Sequence, residues 1–139
     1  MNSKFQNISV EEIERRLKDA GVNPTTQRIA IFKYILCDAD HPTADQIKSW
    51  ADQSFPKVSL ATIYNTLNVL VDAGLLRELH LPESDSVVYD KTLSEHHHFL
   101  DQQTGHLIDI EGDQIRVELK LKRQLKISEM DILLRGTQN

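Results

Sequence analysis

The run Glu95-His96-His97-His98 sets half of the chain's six histidines side by side. Successive residues on a β-strand point to opposite faces, so His96 and His98 share one face and His97 takes the other. Two imidazoles at that spacing have chelating geometry, although three histidines alone fit an exposed polar edge equally well. Asp109 follows on a returning strand and Asp90 ends the hairpin before the cluster, so both can approach the His96/His98 face. His41, in a loop of a different lobe, can add a ligand, and an ion held from both lobes would set their relative angle. Histidine and aspartate without thiolate suit Fe(II), Mn(II) or Zn(II). His97 is left either as a haem ligand or as an exposed strand residue. His106, three positions before Asp109, falls on the opposite face and reads as surface.

A second set, Ser59, Thr62, Tyr64, Asn65 and Thr66, crowds the first turns of one helix. A recognition helix meets base edges there. Asn pairs with adenine in two hydrogen bonds, Ser and Thr are permissive contacts, and Tyr reaches a thymine methyl or a phosphate. A solvated helix start has the same composition, so this pattern needs its context.

That context is a series of short elements. Ser9-Val10-Glu11-Glu12 and Thr43-Ala44-Asp45-Gln46 are capping boxes, opening helices at Val10 and Ala44. Ile29, Phe32, Ile35 and Leu36 recur at helical spacing through a helix that ends at Cys37. Ser59 caps another, running to about Ala73 with Gly74 as its stop. Leu75 to Leu81 and Val87 to Asp90 predict strands around the turn Pro82 to Ser86. Helices followed by such a hairpin make a winged helix-turn-helix. Beyond it, His96 to Leu100 and His106 to Ile110 read as strands around a turn with Gly105 at positive φ. Gln114 to Gln124 reads as a charged amphipathic helix, and Ile132 to Arg135 as a last strand. The expected fold is α+β, with a DNA-binding domain over 1–89 and a dimerisation and metal-sensing domain over 90–139. The second lobe has too few apolar residues to stand alone, which predicts a homodimer.

Composition narrows the class. No apolar run approaches the ~20 residues of a membrane span, and Met1 to Val10 lacks the pattern of a secretory signal. The one cysteine, Cys37, permits no internal disulfide and fits a reducing cytoplasm. A net charge of −5 opposes DNA binding, but the excess is uneven: up to His80 there are nine basic and ten acidic residues, and from Leu81 onward seven and eleven. The first part is nearly neutral and can carry a local basic patch. His/Asp ligands also serve hydrolases and non-haem iron oxygenases. Against an enzyme, the sequence offers no separate nucleophile and no obvious substrate cleft.

Several motifs resemble the ferric uptake regulator (Fur) superfamily. They are Pro24-Thr25-Thr26-Gln27-Arg28, His41-Pro42-Thr43-Ala44-Asp45-Gln46, and Val58 through Leu67, followed by Tyr89-Asp90, His96-His97-His98 and Gly105 through Asp109. The resemblance spans about Pro24 to Asp109. It implies a cytoplasmic homodimeric repressor of iron-homeostasis or peroxide-stress genes, bound to a double-stranded operator under control of one divalent metal per chain. By position, the regulatory site it implies is His41, Asp90, His96, His98 and Asp109. It adds Thr25 and Arg28 to the DNA contacts Ser59, Thr62, Tyr64 and Asn65. Asp at 109 and Asn at 65 are similar to the peroxide-sensing branch (PerR). The Ser59-to-Leu76 stretch with the histidine run is similar to the iron response regulators (Irr), several of which bind haem, and this keeps a haem-responsive regulator as the alternative. The family's paired Cys-x-x-Cys motifs are absent, so no structural zinc held by four cysteines is expected. Arg116 and Met130 occupy positions that would complete a secondary metal site.

Overall fold

The computed structural model describes residues 7–55, 57–82 and 85–138, and the chain divides into two compact units, Met1–Leu93 and Ser94–Asn139. The first holds four helices, α1 (Val10–Asp19), α2 (Thr26–Cys37), α3 (Ala44–Ser54) and α4 (Leu60–Asp72). Each starts at a hydroxyl that accepts a backbone N–H three residues on, from Ser9, Thr25, Thr43 and Ser59 in turn. Such caps contribute about 1 kcal/mol apiece. The reciprocal box is complete at Thr43 and Gln46. At α1 only the Ser9 half is made, because the Glu12 carboxylate accepts instead from Arg15 and Arg16.

The apolar faces of these helices meet in one core. Ile13, Leu17, Phe32, Ile35, Ile47, Ile63, Leu67 and Leu70 are all at most 2% exposed. Trp50 stacks on Tyr34 at a centroid distance of 4.2 Å, which makes it a packing residue. A two-stranded antiparallel wing follows, β1 (Arg77–His80) and β2 (Val87–Asp90). The first strand starts later than its sequence suggests, since the Leu75 N–H still bonds the Leu70 carbonyl and Leu76 is buried with the helices. Part of the predicted wing turn, Glu83 and Ser84, lies outside the described residues.

The second unit is a three-stranded sheet of order β4-β3-β5, from β3 (His96–Asp101), β4 (Leu107–Glu111) and β5 (Leu133–Gly136). β3 pairs antiparallel with β4 and parallel with β5. Gly105 takes φ +77 in the β3–β4 turn, as the sequence predicts. The predicted helix over Gln114 to Gln124 does not form. A single 3-10 turn, Gly112–Gln114, leads into a stretch without regular structure up to β5. Ile115, Val117, Leu119 and Leu121 alternate with charged residues, a period of two rather than 3.6, so a helix would spread them around its circumference. The division between units falls after Leu93, so Asp90 belongs to the first unit as the end of β2.

The Asp101 side chain closes the β3–β4 turn. It accepts from the Gln138 amide at 3.0 Å and from the Gln103 and Thr104 backbone N–H groups at 2.9 and 3.3 Å. These bonds, that from Gln138 foremost, hold its carboxyl below the usual aspartate value. A depressed folded value stabilises the fold above the unfolded value, about 3.9, and this contribution is lost as pH falls through the folded value. Asp101→Asn should therefore lower stability at neutral pH, and the gap to the parent protein should close as pH falls below about 4. Urea unfolding followed on β3 resonances would check it; a gap that does not vary with pH would contradict this account.

Candidate metal centre

In the second unit the β3–β4 register sets His98 directly opposite Asp109. His96 lies on the same face two residues along, and the three polar tips converge. The His96 and His98 Nε2 atoms are 3.1 Å apart, and Asp109 Oδ1 is 3.6 Å from the first and 3.4 Å from the second. Donors about 2.1 Å from a common ion sit about 3.0–3.5 Å from one another, so these spacings suit adjacent ligands of one metal. The His96 Nδ1–H points to the Ser94 carbonyl at 2.7 Å. That bond fixes the tautomer and leaves the Nε2 lone pair directed at the other donors. Both imidazoles are buried while the Asp109 side chain is partly exposed.

The first unit carries a second group of donors. His41 Nε2 stands 3.7 Å from Asp90 Oδ2, and His41 Nδ1 lies 2.6 Å from Asp40 Oδ1. The Asp40 carboxylate thus orients the ring by its far nitrogen, an arrangement common behind metal-bound histidines. His41 has φ +46, a left-handed conformation unfavourable for a residue with a Cβ. Its neighbours hold it there: the Tyr89 N–H bonds the Pro42 carbonyl at 2.9 Å, and Thr43 bridges to Val88. Lys91 ties the end of β2 to α2, donating to the Leu36 and Ala39 carbonyls at 3.0 and 3.2 Å. The last carbonyls of a helix favour such a cation. Asp90 Oδ1 accepts the Thr92 N–H, which turns Oδ2 toward His41.

Asp40, Lys91 and the Ser94 carbonyl escaped the sequence reading. Asp40 was accessible in principle, as a carboxylate beside a suspected ligand; the other two depend on chain folding. His97 differs from its predicted character. It is buried, 4% exposed, and its Nδ1 accepts the Ile132 N–H at 3.2 Å. It fastens β3 to the approach to β5 and is not an exposed strand residue. His106 is exposed, as read from its face.

On α4, Tyr64 and Asn65 are exposed, with Ala61 and Asn68 on the same face at helical spacing. Thr66, grouped with them in the sequence, is 2% exposed and packs in the core, so it cannot reach a base edge. Ser59 and Thr62 are joined as cap partners, their hydroxyl oxygens 3.0 Å apart. Thr25 caps α2, and Arg28 extends its guanidinium to the Asn23 carbonyl at 3.1 Å. Asn68 stands about one turn beyond Tyr64 and Asn65 on the same exposed face.

Known proteins match these features. The ferric uptake regulator family matches residues 19–135. The peroxide-responsive repressor PerR of Staphylococcus aureus (strain USA300) is 36% identical over 115 residues, covering 78% of this chain and 77% of that protein. Among solved structures, the Vibrio cholerae ferric uptake regulator superposes with a TM-score of 0.70 at 24% identity, over 89% of this chain and 98% of the other. PerR from Streptococcus pyogenes, solved for peroxide sensing and gene regulation, gives a TM-score of 0.54 at 26% identity over 92% and 89%. With an α+β fold of winged helix and small sheet, and a cluster of His and Asp donors able to hold a metal, the chain belongs to the ferric uptake regulator family of metal-dependent transcriptional repressors acting on iron or peroxide genes.

Proposed function

We propose that this chain works as a homodimeric repressor that reads a double-stranded operator through α4 and senses one divalent metal ion per chain, in the cytoplasm and without enzymatic activity. The observation that carries the reading is the convergence of His96 Nε2, His98 Nε2 and Asp109 Oδ1 within 3.6 Å of one another. His41 and Asp90 are proposed to complete the ligand set. Three donors from one unit leave positions open on Fe(II), Mn(II) or Zn(II), and a histidine and a carboxylate supply the same ligand chemistry. Bound there, the ion supplies positive charge that would otherwise be missing among carboxylates and couples its own occupancy to the DNA-reading unit.

Base reading is assigned to Tyr64 and Asn65, with Ser59 and Thr62 shaping the helix start and Thr25 and Arg28 at the phosphate backbone. Near-neutral charge in the first part of the chain limits nonspecific attraction, so two copies on one operator would raise affinity where a single one is weak. Peroxide is proposed as the signal, by similarity to the Staphylococcus aureus repressor. In that reading an iron-loaded protein is inactivated by oxidation of a ligand histidine.

Calorimetry with Mn(II) tests the centre. Asp109→Ala and His96→Ala should each abolish tight binding of one ion per chain, and Asp40→Ala should weaken it about tenfold by releasing the His41 ring. His106→Ala should leave binding intact; a loss equal to that of His96→Ala would mean the strand faces are misassigned. His97→Ala should lower stability before it affects affinity, because it removes a buried packing group and a hydrogen bond.

Asn65→Ala should weaken operator binding tenfold or more, as expected for losing about 1–3 kcal/mol of base contact, while leaving Mn(II) affinity unchanged. Fluorescence anisotropy with labelled operator would measure it. Peroxide should release DNA from Fe(II)-loaded protein with one oxygen added to a ligand histidine, and leave Mn(II)-loaded protein bound. Unmodified histidines together with haem-dependent release would instead support the haem-responsive alternative.

A further inference from the structure

Lys91 follows the candidate ligand Asp90 directly, and its side chain reaches the loop that carries the candidate ligand His41. Its Nζ donates to the Leu36 carbonyl at 3.0 Å and to the Ala39 carbonyl at 3.2 Å, across 55 and 52 residues of sequence. Helix α2 ends at Cys37, where carbonyls run out of intrahelical partners and the dipole favours a cation. That accounts for the bond to Leu36. The bond to Ala39 lies past the helix, in the segment that leads through Asp40 to His41.

This second bond completes a pattern around His41. On its C-terminal side the loop is fastened to β2 by backbone groups: the Tyr89 N–H bonds the Pro42 carbonyl at 2.9 Å, and Thr43 bridges to Val88. On its N-terminal side the Lys91 ammonium supplies the tie, at Ala39. His41 thus sits between two anchors, both reaching it from the end of β2. At φ +46 it has a left-handed conformation that a residue with a Cβ keeps only where its surroundings hold it. With the Ala39 anchor gone, rotation about φ would relieve the strain and carry the imidazole away from Asp90 Oδ2, which stands 3.7 Å from its Nε2. The Asp40 carboxylate cannot prevent this, because its side chain is 80% exposed and belongs to the same loop. We infer that Lys91 is a positioning residue for the metal centre, holding the two first-unit donors, His41 and Asp90, face to face by joining the end of β2 to Ala39. Its charge acts in the opposite sense. A cation beside the donors repels an incoming divalent ion, so deleting charge alone strengthens binding, whereas deleting the anchor weakens it.

The inference rests on His41 and Asp90 being ligands, as proposed above, and a double-mutant cycle separates the two. In calorimetry of the full chain with Mn(II), His41→Ala should weaken binding tenfold or more without abolishing it, because the second unit's donors remain. Lys91→Met should weaken binding about tenfold, the usual scale for a group that orients a ligand. Lys91→Arg keeps a cationic donor and should recover most of that loss. In the His41→Ala background Lys91→Met should cost no further affinity, since the donor it positions is gone; a general loss of structure would cost the same in both backgrounds. Without metal, hydrogen exchange in Lys91→Met should accelerate at the Ala39 and Tyr89 amides, which bond on either side of His41, and stay unchanged at Leu17 in α1. If His41→Ala leaves Mn(II) affinity unchanged, the ligand reading falls and this inference with it. If His41→Ala weakens binding while Lys91→Met strengthens it, leaves it unchanged or costs equally in both backgrounds, His41 remains a ligand and the positioning role is overturned.

Discussion

The pairing of His98 with Asp109 across β3 and β4 is the constraint from which the chemistry of the second unit follows. Once the two strands run antiparallel in that register, the period of two brings His96 to the same face and sends His97 to the other. A slip of one residue would reverse both faces, leaving His97 among the donors and the chelating pair in the packing layer. The hairpin therefore has to be pinned. Asp101 does this at the turn, with Gly105 providing the backbone reversal, and the His97–Ile132 bond does it from the opposite face. His97, read from the sequence as a haem ligand or an exposed strand residue, is part of what holds the candidate donors in register.

Burying two imidazoles with their Nε2 atoms 3.1 Å apart has a physical cost. The bond from His96 Nδ1–H to Ser94 means that, in neutral His96, a lone pair faces the second ring. With His98 as the Nε2–H tautomer that contact is a hydrogen bond to His96, and a divalent ion can take the place of its proton with a carboxylate already beside it. Metal affinity and the stability of the second unit are thus linked: an ion that binds the folded arrangement and not the unfolded chain shifts the equilibrium toward folding. The first unit handles its donors differently. His41 is kept at positive φ by contacts with β2, and its ring is oriented by an exposed carboxylate.

Much of this was legible in the sequence because it depends on local rules. Hydroxyls at Ser9, Thr43 and Ser59 mark helix starts through bonds within three residues, and strand alternation separates His96 and His98 from His97 without tertiary knowledge. What was misread depends on packing or on choosing between periods. Thr66 looked like a base contact because its neighbours are polar, but helical geometry turns it toward Ile63 and Leu70 in the core. The segment after Gln114 has the charge and scattered leucines of an amphipathic helix, although the strict alternation from Ile115 to Leu121 favours extended backbone. The Lys91 bonds to Leu36 and Ala39 join residues too distant in sequence for any local pattern to reveal.

The single cysteine bears on how so small a second unit persists. No thiolate pair is available to clamp the sheet with zinc, so its fastening must come from hydrogen bonds and side-chain packing. Gln138 reaches back to Asp101, the Gln102 N–H bonds the Gly136 carbonyl at 2.8 Å, and β5 is laid parallel against β3. These ties close the chain end onto the same turn that sets the donor register. They are directional and individually modest, each about 0.5–1.5 kcal/mol net. A unit held in this way has little apolar burial of its own, with Leu107 its one buried hydrophobic residue among those described. Its cohesion must therefore draw on what binds to it, and the donors buried on one face and the exposed Val117, Leu119 and Leu121 are the two places where binding can supply it.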